Sequence, residues 1–287
     1  MVARPLGIFF LSRIALLGAI EVARRFMILP SHRPDPGCIF GVCEPHGWLP
    51  LVLAELAMAA AVVVLWFLVQ RDDGVDAAGS TVVLFLASPL SLVLALDAAA
   101  ATSTALSLLA LGLARRHAWA AGISLAAATA FAPGAALMAP AVVLAAWSFD
   151  LRGMRLNALF GTFPALVVVA VGGTAPVIAA PWLQVDALMM KAGSPGSLIH
   201  FGAVAVMAAV CLVAFASRRF VIGLAGASWL VGGLALGAPH LVACTAAPWG
   251  PTAVVSRTWA LEAPIAASLF MVQGLYLFHL VHGFPIL

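Results

Sequence analysis

Residues 49–69, 157–181, 198–217, 220–238 and 261–281 are apolar almost throughout. Each reaches or approaches the ~20 residues needed to cross ~30 Å of hydrocarbon. Shorter apolar runs lie between them. Hydrophobic residues make up 64% of the 287, against 14 Lys+Arg and 11 Asp+Glu, so little of the chain is suited to a hydrated surface. In lipid every backbone amide must bond within its own segment, so such runs are expected to be helices. The expected fold class is an all-α polytopic membrane protein with about ten transmembrane helices, range 8–10. The stretches between the runs are too short to bury cores of their own, so residues 1–287 read as one membrane domain. A formal charge of +3, scattered over several loops, excludes a nucleic-acid surface.

Arginine placement suggests the topology. Arg71, the Arg115-Arg116 pair, Arg152 with Arg155, and Arg218-Arg219 all occupy short connections. If the end bearing Arg4 is cytoplasmic, the positive-inside rule places these on one side. The expected helices are 6–29, 49–69, 79–96, 101–114, 118–131, 134–148, 157–179, 198–217, 220–238 and 260–281. Both termini are then cytoplasmic, in a bacterial inner or plasma membrane. The first helix contains Arg13 and Glu21 and lacks a small-residue cleavage site, so it reads as retained rather than as a cleaved signal. Within 101–148 the helices are short. Pro133 has no N–H and disfavours helix at Ala132, so a break is expected there. A single kinked span over 118–148 would lower the count to nine.

Polarity concentrates in the first outer loop, residues 30–48, which contains Asp35, Glu44, His32, His46, Arg33, Cys38 and Cys43. Its prolines and glycines predict a shaped loop. Asp35 or Glu44 can serve as a general base or hold a divalent cation. His46 and His240, with Asp35 and Glu44, make a three-ligand cluster conceivable. Haem is not expected, because His279 and His282 at i,i+3 lack partners of matching depth. Glu21 shares a helix face with Arg24 and Arg25, whose guanidinium forks suit phosphate oxygens. Arg13 and Glu55 fall within apolar helices and must snorkel, pair or line a cavity. Arg257 lies five residues before Glu262, which starts the last helix. Cys38, Cys43 and Cys244 face the outer side under this topology and are disulfide candidates. Cys38–Cys43 closes the shortest loop, and Cys244 is an alternative partner for either. Cys211 reads as a core residue.

The first helix contains Phe10-Leu11-Ser12-Arg13, and a short basic connection with Arg71 occupies 65–74. Leu86-Ala87-Ser88-Pro89-Leu90, the paired arginines ending 109–116, and the broken apolar stretch 120–140 follow in order. With these motifs, residues 47–148 resemble the membrane core of C-type polytopic glycosyltransferases. The nearest branch is that of the second mannosyltransferase of GPI-anchor synthesis. The resemblance implies a transferase that moves a mannose-type sugar from a polyprenyl-phosphate donor at the outer membrane face. Asp35, with Glu44, is then the catalytic carboxylate. Arg24, Arg25, His46, Asp97 and Arg257 are then substrate- or phosphate-binding residues. The other readings are an inactive structural or accessory subunit of a membrane complex and, third, a transporter. Membrane lipids are expected partners in each case.

Overall fold

The computed structural model describes residues 2–26, 38–39, 42–43, 49–87, 91–96, 98–147, 212, 223–227, 266 and 273. For 17–26, both short strands, and positions 50–51, 92–93, 96 and 133, the description covers the backbone alone. The described elements are α1 (Ala3–Phe26), β1 (Cys38–Ile39), β2 (Val42–Cys43), α2 (Leu49–Ala87), α3 (Ser91–Leu96), α4 (Ala98–Ala114), α5 (Ala118–Phe131) and α6 (Ala139–Trp147). A 3₁₀ segment, Pro133–Met138, separates α5 from α6.

Helix α2 is helical on both sides of Gly74, which has φ 91° and ψ 177°. That backbone region is essentially closed to residues with a Cβ. The consequence is visible at Gly79, where an added Cβ would lie 3.9 Å from Trp66 Cζ3. On a straight helix those two positions would be ~20 Å apart along the axis. The chain therefore folds back at Gly74, and α2 is a helical hairpin with arms 49–73 and 75–87. The sequence reading had placed a nine-residue connection, 70–78, where one glycine suffices.

Helices α4 and α5 form a second hairpin. Arg116 and His117 N–H both donate to Leu113 O, at 2.9 and 2.8 Å, and close the end of α4. Ser103 Oγ donates to Ala128 O at 2.9 Å, and Ser124 Oγ donates to Leu106 O at 2.8 Å. Each helix thus sends one hydroxyl to a carbonyl of the other, and the pairing 103/128 with 106/124 fixes an antiparallel register. Small residues make this approach possible: Ala100, Ser103, Ser107 and Ala114 on α4, and Ala118, Ala121, Gly122 and Ala128 on α5, are all buried. Helix α5 stops at Phe131. Ala132 is extended at φ −143°, ψ 111°, as the residue before a proline prefers.

The core joins all these pieces. Phe9 of α1, Met58, Leu65 and Phe85 of α2, Leu94 of α3, Leu108 of α4, Leu125 of α5 and Met138 are buried in one cluster, which also takes in Ala225. Burying each large side chain contributes about 1.5–3 kcal/mol. Ser91 Oγ donates to Leu86 O at 2.9 Å and accepts from Gln273 Nε2 at 3.2 Å, so residue 273 docks at the start of α3.

The expectation of ten membrane-crossing helices is corrected by this architecture. Among the described residues one helical stretch, Val52–Ala87, is long and apolar enough to cross a membrane, through its arm before Gly74, and three more are shorter apolar helices. The reading of 79–96 as one span fails because α2 ends at Ala87 and α3 has 6 residues. Helix α5 has 14 residues and α6 has 9, too few for ~30 Å of hydrocarbon at 1.5 Å per residue. Helix α1 carries Arg4, Arg13, Glu21, Arg24 and Arg25 along its length. The multi-pass localisation, with both termini cytoplasmic, rested on the same count and falls with it. The expected spans beyond residue 148 lie outside the described stretches, apart from a few isolated positions.

Gly74→Ala is expected to destabilise the fold by about 1–3 kcal/mol, the usual cost of a non-glycine residue in this region. Space is not the obstacle, since nothing lies within 4 Å of the added Cβ. Chemical denaturation of the purified variant, followed by circular dichroism, measures the loss. An unchanged midpoint would show that α2 runs straight.

Candidate functional site

Two groups of charged side chains are described, and they differ in setting. The first caps one end of the bundle. Arg71, Asp72, Asp73 and Asp76 surround the Gly74 turn, while Arg115 and Arg116 end α4. Arg115 Nη1 donates to Asp72 Oδ1, tying the two hairpins together at their tips. Three arginines face three aspartates here, so the cap has no net charge to concentrate an anion or a cation. A pair as accessible as Asp72–Arg115 contributes about 0–1 kcal/mol. Its role is to align the ends.

The second group is embedded in apolar surface. Arg13 Nε donates to Glu55 Oε2 at 2.9 Å. The Arg13 side chain is 13% exposed and that of Glu55 39%, so the pair opens outward on its carboxylate side. The guanidinium carbon also lies 5.0 Å from the centre of the Phe9 ring, a cation–π contact. Phe9 is one turn before Arg13 and is itself buried, with Phe10 meeting its ring edge-on at 5.7 Å between centroids. Arginine offers five N–H donors in a rigid fork. Arg13 Nη2 is buried and has no hydrogen-bond partner among the described residues. An unmet buried donor costs about 1–3 kcal/mol, more when charged, so the arrangement calls for a further acceptor.

The surface beside this pair is apolar and open. Phe10, Leu11 and Ile14 of α1 are exposed, as are Leu49, Val52, Leu53 and Leu56 of α2. The α2 residues recur at three- and four-residue spacing and form one stripe, with Glu55 at its edge. A charged guanidinium bordered by such a stripe can take the head of an amphiphile while the stripe takes its tail. Sequence reasoning singled out Arg13 and Glu55 as polar groups in apolar helices but did not pair them. It missed Phe9, whose signal was its position four residues before Arg13. It also missed Ser103 and Ser124, the hydroxyls that lock α4 to α5.

The described side chains do not include the other candidate residues. Asp35, His46, Asp97, Cys244 and Arg257 lie outside the described residues, and so does Glu44. Glu21, Arg24 and Arg25 continue α1 by backbone, and Cys38 and Cys43 belong to the two strands. Among the described residues no group of three His, Cys, Asp or Glu side chains is placed to hold a metal ion.

Comparison with family models, with curated proteins and with solved structures finds no match to this chain. The resemblance to C-type glycosyltransferases is therefore withdrawn, and with it the mannosyltransferase activity. The described helices do not supply the multi-span core the resemblance required. The accessory-subunit and transporter readings gain no support in its place.

A double-mutant cycle with Arg13→Gln and Glu55→Gln is expected to give a coupling of about 0.5–3 kcal/mol in unfolding free energy. The same cycle on Asp72 and Arg115, through Asp72→Asn and Arg115→Gln, should give less. Equal couplings would place both pairs in comparable solvent and remove the special standing of Arg13.

Proposed function

We propose that the bundle binds an anionic lipid, with acyl chains against the open face of α1 and α2 and the headgroup oxygens on Arg13. The observation that carries this reading is the buried Nη2 of Arg13, without a partner among the described residues, at the border of an exposed apolar stripe. A headgroup oxygen supplies the acceptor that Nη2 lacks, and guanidinium matches phosphate oxygens in both charge and geometry. Glu55 holds the guanidinium in place from its other side through Nε. The arginines at the Gly74 cap are balanced by aspartates, whereas Arg13 is a cation buried beside apolar surface and suited to discriminate by headgroup charge. The burial pattern of α2 supports the apolar half of the reading. Val52, Leu53, Leu56 and Phe67 are exposed along its first arm and leave apolar surface for a partner. Contiguous exposed patches of this kind mark interaction or lipid-contact surfaces.

The test is lipid retention by the detergent-purified chain, read by native mass spectrometry. Phosphatidylglycerol should be retained over phosphatidylcholine with the same acyl chains. Arg13→Gln should reduce that preference about tenfold or more, the worth of one charge-assisted hydrogen bond. Glu55→Gln removes the competing carboxylate and should strengthen the preference. Arg116→Gln, at the far cap, should leave it unchanged. Equal retention of the two lipids, or loss of preference in Arg116→Gln but not in Arg13→Gln, would refute the proposal.

A further inference from the structure

The two short strands between α1 and α2 pair antiparallel, with Cys38 opposite Cys43 and Ile39 opposite Val42. Only Phe40 and Gly41 separate them along the chain, the length of the tightest common hairpin connection. Directly opposed residues of an antiparallel ladder share one face, with Cα atoms ~4.5 or ~5.5 Å apart according to whether the pair is hydrogen-bonded. Both spacings fall within the ~4.4–6.8 Å that a disulfide spans without backbone movement. A register shifted by one residue would put one of the two cysteines on the other face.

We propose that Cys38 and Cys43 are a redox-active pair that closes to an intrachain disulfide by exchange with a small-molecule disulfide. The register carries this inference, independently of lipid binding and of which side of a membrane the hairpin occupies. In the exchange, the thiolate of one cysteine attacks a sulfur of the oxidant and releases one equivalent of thiol. The second cysteine then attacks the resulting mixed disulfide and releases the other. One sulfur–sulfur bond breaks in the oxidant and one forms in the protein. The two protons lost from the cysteines end on the two released thiols.

The experiment equilibrates the full chain, in mild detergent, with mixtures of oxidised and reduced glutathione. Free thiols are then alkylated and the tryptic peptides are mapped by mass. Cys38 and Cys43 fall on one peptide, Phe26–Arg71, because the bond between Arg33 and Pro34 resists trypsin. The closed pair reads as that peptide two hydrogens light and unalkylated. Two cysteines so close in sequence also bridge in an unfolded chain, so the informative quantity is a ratio. The equilibrium constant for closure should be roughly tenfold or more higher in the folded chain than in denaturant, because the hairpin holds the thiols in position beforehand. Double alkylation at oxidising mixtures, linkage of either cysteine to Cys244, or equal constants in folded and denatured chains would each overturn the proposal.

Discussion

Because Gly74 has φ 91° and ψ 177°, a helix that would otherwise run on for 39 residues returns on itself and brings Trp66 against Gly79. Much of the described bundle depends on that reversal. It lets Leu65 of the first arm and Phe85 of the second join one buried cluster. It places Asp72 at a tip, where Arg115 of the second hairpin can reach it. The first arm, 49–73, then runs from this charged tip to Glu55, ~24–27 Å away along the helix axis. The bundle thus has a hydrated, charge-balanced end, and one ion pair set far from it among apolar side chains.

The second hairpin solves a different problem. Alanine-rich helices present shallow ridges and bury little area per residue, so they gain by close approach rather than by large knobs. Close approach brings backbone carbonyls near enough for Ser103 and Ser124 to reach across. Ala128 O accepts from Ser103 Oγ while also accepting from the Ala132 N–H, so the interhelical bond costs the helix none of its own. Thr81 and Thr129 instead donate to carbonyls four residues back, at 2.7 and 2.8 Å, which satisfies a buried hydroxyl with no partner helix.

How far the sequence was legible depended on whether a local cause was present. Helix α5 runs over 118–131, as read from the Arg115-Arg116 connection and the break at Pro133, because a proline and a polar turn act on their immediate neighbours. Helix α4 begins three residues earlier than read, at Ala98, since alanine gives no start signal. The break between α5 and α6 was read from Pro133, but the residues after it, expected as α-helix from 134, take 3₁₀ geometry as far as Met138. The count of crossings was not readable, because an apolar helix that packs on a bundle has the same composition as one that spans a bilayer. At the site, Arg13 and Glu55 were conspicuous as charges among leucines. Their union was not, because 42 positions separate them and no local rule relates them.

The bond between Gln273 and Ser91 bears on the order in which the chain can assemble. It closes a loop of 182 residues, whereas the Ser103 bond to Ala128 closes one of 25. Closing the longer loop costs about 2 kcal/mol more in chain entropy, and local contacts form first where topology governs rate. The α4–α5 hairpin is therefore the natural early structure. The buried amide of Gln273 acts as a late latch, engaging only once its distant segment has found a surface already built by the local helical contacts.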